Sequence, residues 1–198
     1  PWFTPQEWAA VRLSSKSHWD IPLTINGKKL HILAMHPTPP TFDGPEDRNG
    51  KRNHDEIRLM ADYLSPERAD YIYDDKGNKG GFDGQRFVLA GDFNAADIGD
   101  KYRPGVIEQL TEHPLVNSSV IPQSDGGSES AEQPYSSRFT AYWGARADYV
   151  LPSRKGLTVQ GGGVFWPVKA SPLNRLVKDR QSSSDHRLVW MDIVLDED

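Results

Sequence analysis

The sequence contains no cysteine. This absence excludes disulfide bonds, a thiolate nucleophile and cysteine-ligated zinc, and it leaves the redox compartment of the protein undetermined. There is no excess of positive charge either. The formal net charge is −5, which argues against a protein that coats nucleic acid through charge alone. No apolar run approaches the roughly 20 residues that a membrane-spanning helix needs.

Two common catalytic motifs are missing as well. Neither a G-x-x-x-x-G-K-[ST] phosphate-binding loop nor a G-x-S-x-G nucleophile elbow occurs, so these nucleotide-binding and serine-hydrolase classes have little support. A calcium loop that begins at Asp92 fails because Asp97 stands where that loop requires glycine. The 198 residues suit one sizeable core, and we predict a single domain over residues 1–198. The chain begins at Pro1 without a methionine or a signal-type segment, and we expect a processed or trimmed end.

The most informative stretch is residues 86–94, which read R-F-V-L-A-G-D-F-N. The apolar residues predict a buried strand that ends at Gly91. Asp92 and Asn94 then project to the same side of the chain, beyond the carboxyl end of a strand, where open α/β sheets bind their ligands. A turn that closes the strand through the side chain of Asp92 is the ordinary alternative for this pattern.

Periodicity, capping residues and turn residues predict the elements around this stretch. The predicted elements are helices over residues 5–13 and 106–112, strands over residues 21–25, 29–35, 147–151 and 187–195, and a mobile loop over residues 122–137. Asn53 and Glu56 are typical of an N-terminal cap for a further helix, which ends before Pro66. The last strand is apolar on both faces apart from Asp192, as expected for a strand inside a layered core.

Residues able to carry chemistry recur at the ends of the predicted strands. His36 ends one strand, and the strand–helix–strand order that follows predicts a parallel pair, so that His36 and Asp92 leave the same sheet edge. Asp148 and Asp185-His186 precede later strands. If those strands are antiparallel to the earlier ones, all five residues meet. Each residue alone has an ordinary structural explanation, but their convergence at one edge indicates a site.

Four motifs resemble those of the endonuclease/exonuclease/phosphatase superfamily in their order and in their residues: A-M-H, G-D-F-N, R-A-D-Y-V-L and S-D-H. That superfamily includes pancreatic deoxyribonuclease, abasic-site endonuclease, sphingomyelinases and inositol polyphosphate phosphatases. The resemblance covers residues 28–195 and implies an α/β fold, a deoxyribonuclease-like two-sheet sandwich flanked by helices. The segments between the motifs resemble a bacterial branch that is often exported, which implies a bacterial protein that is extracytoplasmic or secreted.

The resemblance also implies a role for each matching residue in the hydrolysis of a phosphoester. Asp92 would orient and deprotonate the attacking water, and Asn94 would hold that water or a phosphoryl oxygen. His186 would contact the scissile phosphate as a general acid or base, with Asp148 fixing its tautomer. His36 would bind a nonbridging phosphate oxygen and stabilise charge in the transition state.

A hard metal ion completes the implied site. By the resemblance, Asp185 would be a metal ligand or lie just behind one. Asp and Asn oxygens without a thiolate favour Mg²⁺, Mn²⁺ or Ca²⁺ over Zn²⁺. The principal metal ligands of the superfamily, an asparagine and a glutamate, lie well before the histidine, and no such pair precedes His36. We therefore expect an N-terminally truncated domain, the C-terminal portion of the fold, which would self-associate through the sheet face left without its partner layer or bind its missing half. The alternatives are an upstream half on another segment and a protein without the main metal site.

The substrate is weakly constrained by the sequence. Arg52 and Asn53, within a basic segment after His36, are weak candidates for phosphate binding, and a solvated helix face is the alternative. Four aromatic residues would stack on a base or insert into lipid, although packing is the commoner fate of such residues: Tyr142, Trp143, Phe165 and Trp166. A nucleic acid, a phospholipid headgroup and a small phosphoester all remain open as substrates. The alternative function is a non-catalytic phosphate-binding or interaction module on the same fold.

Overall fold

The computed structural model describes residues 3–197. This part of the chain forms two β-sheets with helices packed against them. The elements, in chain order, are α1 (Pro5–Ala10), β1 (His18–Ile25), β2 (Lys28–Met35), α2 (Arg48–Tyr63), β3 (Phe87–Asp92), α3 (Glu108–Thr111), α4 (Asp125–Ser128), β4 (Asp148–Pro152), β5 (Leu157–Phe165) and β6 (Leu188–Leu195). Short 3-10 helices lie at Pro66–Arg68, Ser136–Arg138 and Pro172–Leu176. No helix among the described residues has the length and apolar character to cross a membrane.

The larger sheet has the strand order β1-β2-β3-β4. The predicted hairpin is confirmed: β1 and β2 are antiparallel, and both Asn26 and Gly27 have the positive φ that a tight primed turn requires. The parallel pairing of β2 with β3 is confirmed as well, with α2 as the crossover between them. β4 is antiparallel to β3, and its register places Asp148 directly opposite Asp92.

Two apolar clusters hold the layers together. The main core contains Leu33 and Leu89 from the larger sheet and Ile57 from α2, and all three side chains are fully buried. A smaller cluster on the opposite sheet face joins Leu30 and Val88 to Leu157 of β5, with residues of β6 packed against it. One face of the larger sheet therefore packs on helices and the other on the β5-β6 sheet, which confirms the predicted two-sheet α/β sandwich.

The predicted cap at Asn53 is wrong. Helix α2 begins five residues earlier, at Arg48 after Asp47, so that Asn53 and Glu56 lie inside the helix. Both side chains are buried, and their partners are distant in sequence: Glu56 accepts hydrogen bonds from the backbone N–H groups of Ser15 and Thr38. The pattern that resembles a capping box thus serves tertiary contacts instead.

Three other expectations need correction. α1 has the predicted Thr4–Glu7 capping box but ends at Ala10, before the expected limit. Within the segment predicted to be a mobile loop, residues 125–128 form α4, whose first turn is capped by Ser124. β6 is not buried on both faces: it alternates, and Leu188, Trp190 and Val194 are exposed. The reason is that β6 belongs to a two-stranded sheet that packs through one face only.

The backbone at Gly91 lies very close to the adjacent strand. We predict that Gly91→Ala destabilises the protein by about 3 kcal/mol. Gly91 has φ +148, and a Cβ there would lie 2.0 Å from the carbonyl oxygen of Met35 in the adjacent strand. The measurement is the free energy of unfolding in urea. Gly161→Ala is the matched control, because a Cβ at Gly161 meets no atom within 4 Å. A loss below about 1 kcal/mol in Gly91→Ala, no larger than in the control, would contradict this description of the β2-β3 contact.

Candidate active site

The ends of four strands bring the predicted residues to one edge. His36 directly follows β2, Asp92 ends β3, and Asp148 begins β4 opposite Asp92. His186 lies just before β6, and an isolated bridge to Ala141 holds it against the turn that precedes β4. The expected antiparallel direction of the later strand β4 is therefore confirmed, and it is what makes these residues neighbours.

A carboxylate oxygen lies between two imidazoles at this edge. Asp92 Oδ2 is 3.3 Å from His36 Nε2 and 3.7 Å from His186 Nε2. The other oxygen of Asp92 accepts a 3.0 Å hydrogen bond from the backbone N–H of Asn94. The side chain of Asn94 donates to the carbonyl of Pro37 at 3.1 Å, which ties the loop after β3 to the loop after β2. Asp92 is therefore oriented by its own loop, with one oxygen left to the two imidazoles.

A buried threonine and a carboxylate fix the orientation of His186. Its Nδ1 is 2.8 Å from Asp148 Oδ2, so Nε2 is the nitrogen that faces Asp92. Thr140, almost fully buried, donates its hydroxyl to Asp148 Oδ2 at 2.7 Å and accepts hydrogen bonds from the backbone N–H groups of Ala147 and Asp148. This arrangement is a carboxylate–histidine pair with a third group behind it.

The local electrostatics move two pKa values in the same direction. Burial raises the pKa of Asp92 above its ordinary value, and the negative charge of Asp148 adds to this, against the opposing effects of His186, the Asn94 N–H and His36. The hydrogen bond to Asp148 raises the pKa of His186, although burial opposes it. Asp92 is thus a stronger base than an ordinary carboxylate, and His186 keeps its proton to higher pH than an ordinary histidine.

Asp92, Asp148 and His186 also form a group that can hold a metal ion. One donor atom from each residue lies within 4.8 Å of the others. Two carboxylates and an imidazole are a donor set that fits a divalent cation such as Mn²⁺ or Mg²⁺, and a cation would offset the repulsion between the carboxylates. Asp185, predicted from the resemblance as a metal ligand, is outside this group, and its carboxylate lies 3.1 Å from the guanidinium of Arg180.

The two candidates for phosphate binding both make hydrogen bonds within the protein. Arg52 donates to the backbone carbonyls of Arg12 and Leu13, which fastens the segment after α1 to α2. Asn53 is buried, and its amide donates to the carbonyls of Thr38 and Phe93 at 2.9 and 3.0 Å. These contacts give both side chains a structural role, and that of Asn53 is to join the two loops that carry His36 and Asp92.

The sequence does not predict the contacts that two further residues make with the site. Thr140 follows no recognisable motif, and only the tertiary structure shows that it holds Asp148. The sequence predicts stacking for Trp143 but not its contact with a site residue. Its ring packs edge-on against that of His186, with centroids 4.6 Å apart. Single-sequence patterns give no signal for either contact.

Comparison with known proteins identifies the family. The profile of the Endonuclease/Exonuclease/phosphatase family matches residues 8–186, and the chain belongs to this family. Members of the family are typically phosphoester hydrolases. No curated protein is significantly similar in sequence to the whole chain or part of it.

Solved structures agree with this assignment at the level of the fold. Beta toxin from Staphylococcus aureus is similar with a TM-score of 0.52 and 13% identity, covering 89% of this chain and 56% of its own. An endonuclease/exonuclease/phosphatase protein from Beutenbergia cavernae is similar with a TM-score of 0.52 and 18% identity, covering 89% of this chain and 38% of its own. The deoxyribonuclease-like fold is thus confirmed, and the chain spans less than two thirds of each of these relatives.

The hydrogen bond between Asp148 and His186 predicts a titration that can be measured without metal. In the presence of a chelator, we expect His186 to titrate above 6.5, and Asp148→Asn to lower its pKa, because the anionic acceptor is lost while burial remains. Since the pKa is raised in the folded state, the contact stabilises the fold below about pH 6.5, and this stabilisation is lost as pH rises through the folded-state value.

The measurement is an NMR titration of the histidine side chains, with His186→Ala identifying the signal. Asp192→Asn, on the exposed side of β6, is the control and should leave the titration of His186 unchanged. An equal pKa for His186 in the protein and in Asp148→Asn would show that the pair does not control its protonation.

Proposed function

We propose that this protein is a divalent-metal-dependent hydrolase of phosphoesters in which water is the nucleophile. The observation that carries the proposal is the position of Asp92 Oδ2 between the Nε2 atoms of His36 and His186, with Asp148 behind His186. A carboxylate base, an imidazole acid and a second imidazole around one point are groups that suit in-line displacement at phosphorus. Family membership supports the same reaction class.

Each residue has a role that follows from its surroundings. Asp92, with a raised pKa and a fixed carboxylate, orients the attacking water and accepts its proton. His186, whose pKa is raised by its hydrogen bond to Asp148, donates to the scissile phosphate or its leaving oxygen. His36 is the most exposed of the three and contacts a nonbridging oxygen, while Asn94 holds the water or the phosphoryl group.

Mg²⁺ or Mn²⁺ is the proposed cofactor, with Ca²⁺ as a further hard ion of the same class. Asp92 and Asp148 would contribute carboxylate ligands to it, while His186 keeps its Nε2 for the phosphate because its Nδ1 is hydrogen-bonded to Asp148. When bound, the ion supplies positive charge to the phosphoryl oxygens and lowers the pKa of bound water.

A bacterial, extracytoplasmic or secreted location and a single truncated domain belong to the same proposal. Self-association does too: it is supported by the exposed apolar side chains of Trp19 on β1 and of Leu188 and Trp190 on β6.

We expect Asp92→Ala and His186→Ala each to lower kcat/KM for bis(p-nitrophenyl) phosphate by roughly 10²–10⁴-fold, because each removes a positioned proton-transfer group. Hydrolysis is followed by release of p-nitrophenolate in Mg²⁺, in Mn²⁺ and in chelator. His54→Ala is the control: His54 pairs with Asp55 on α2, outside the site, and its loss should leave the rate unchanged.

Retained turnover in either site variant would contradict the assigned roles. No turnover of the diester or of p-nitrophenyl phosphate with any of these ions, by this chain or by a version extended upstream of Pro1, would select the alternative of a non-catalytic phosphate-binding module.

The metal ligands can be tested separately by Mn²⁺ binding, measured by electron paramagnetic resonance. We expect Asp92→Asn to weaken binding at least about tenfold, because it removes an anionic donor from the three-residue group. Asp185→Asn should change binding little, since Asp185 is paired with Arg180. The opposite result would support Asp185, predicted from the sequence, as the ligand.

A further inference from the structure

Two exposed aromatic side chains lie directly beside the proposed catalytic histidine. Tyr142 is 57% exposed and Trp143 is 40% exposed, and their rings are in contact with centroids 6.2 Å apart. Trp143 also packs edge-on against His186. Exposing two large rings next to a polar site is unfavourable in water unless something else covers them.

The turn that carries these rings is fixed by hydrogen bonds on both sides. The backbone N–H groups of Thr140 and Ala141 both donate to the carbonyl of Ala145, at 2.9 and 3.1 Å. The N–H of Tyr142 donates to the carbonyl of Asp185 at 3.0 Å. Because the backbone is held in this way, the two rings are in place before any ligand arrives, which lowers the entropic cost of binding.

A pocket of about 320 Å³ opens beside Tyr142 and Trp143. Tyr135 and the buried ring of Phe139 form its aromatic walls together with Trp143. Its polar lining residues are Gln133, Asp100 and Lys101. One acidic and one basic side chain nearly balance, so the pocket favours a neutral planar group with polar edges over a quaternary ammonium ion, which binds best where aromatic rings meet net negative charge.

We propose that this pocket binds the unpaired base of a nucleotide whose phosphodiester lies at Asp92 and His186. The base stacks on Trp143 and Tyr142, and Gln133 and Lys101 reach its polar edge. One ring contact separates the pocket from His186, so a single nucleotide, with its sugar between base and phosphate, spans both. A paired base in a duplex has its faces covered by its neighbours and cannot stack on a tryptophan, which makes an unpaired nucleotide the substrate.

The inference rests on the proposed function, and the test compares two diesters. These are thymidylyl-(3′→5′)-thymidine and glycerophosphocholine, with products separated by chromatography in Mn²⁺. We expect the dinucleotide to have the higher kcat/KM. Trp143→Ala should lower the ratio of the two kcat/KM values by roughly 5- to 150-fold, which corresponds to about 1–3 kcal/mol per stacked base. The ratio cancels any effect of Trp143 on His186 itself.

Further variants separate stacking from a merely structural effect. Trp143→Phe should keep most of the preference, since it retains a ring, and Tyr142→Ala should lower it without removing the contact with His186. Tyr73→Ala removes a tyrosine of similar exposure in the segment between α2 and β3, and should change nothing. An equal loss on both substrates in Trp143→Ala would overturn the inference, as would a preference for glycerophosphocholine that depends on Trp143.

Equilibrium binding distinguishes failure of the pocket from failure of catalysis. Calorimetric titration with thymidine 5′-monophosphate and with inorganic phosphate requires no turnover. Tighter binding of the nucleotide that is lost in Trp143→Ala supports the pocket even if the protein hydrolyses no diester. Equal affinity for the nucleotide and for phosphate overturns the inference even if bis(p-nitrophenyl) phosphate is hydrolysed.

Discussion

The antiparallel register of β3 and β4 places Asp92 opposite Asp148, and the chemistry of the site depends on this juxtaposition. Two partly buried carboxylates at adjacent strand ends repel each other, and the repulsion contributes to the raised pKa of Asp92. The site relieves it with positive charge: His186 is hydrogen-bonded to Asp148, and His36 lies against Asp92. The same two carboxylates supply oxygen donors and negative charge that can hold a cation. An unfavourable pairing thus provides a carboxylate and an imidazole with raised pKa values, in a group whose donor atoms can hold a metal ion.

Such a site holds together only because buried polar groups brace its loops. Asn53 joins the carbonyls of Thr38 and Phe93, and Thr140 links Asp148 to its own turn. Behind the loop after β3, the buried guanidinium of Arg146 lies 2.7 Å from Asp97. The braces come from α2 and from the turn before β4, so two separate parts of the fold meet at the loops that carry the chemistry. Hydrogen-bonded supports of this kind keep catalytic side chains within the narrow geometry that proton transfer requires.

Local signals in the sequence were reliable where local physics decides the structure. The Asn26-Gly27 turn, the Thr4 capping box and the strand that begins at Phe87 all depend on neighbouring residues, and all are present, although the strand continues through Gly91 to Asp92. The strand ends then lie close together, as expected, and bring together four residues: His36, Asp92, Asp148 and His186. The prediction that Asn53 and Glu56 cap a helix is wrong because residue types that cap helices can also form hydrogen bonds with backbone groups far away in the chain. The partners of Asp185 and Thr140 depend on tertiary contacts, which a single sequence does not encode locally.

In the proposed function, the turn of residues 140–145 would connect the chemistry of the site to its choice of substrate. Its first residue, Thr140, fixes Asp148 and through it the orientation of His186, while three residues later Trp143 packs on the ring of that histidine. Under the proposed function, a ligand that contacts Trp143 would act through its ring on His186, the proposed proton donor. Because the turn is held by hydrogen bonds to the carbonyls of Ala145 and Asp185, a displacement of Trp143 would be passed on to His186 and not taken up by the turn. Binding energy from a group remote from phosphorus can in this way be used to align His186, which is how an enzyme converts recognition into rate.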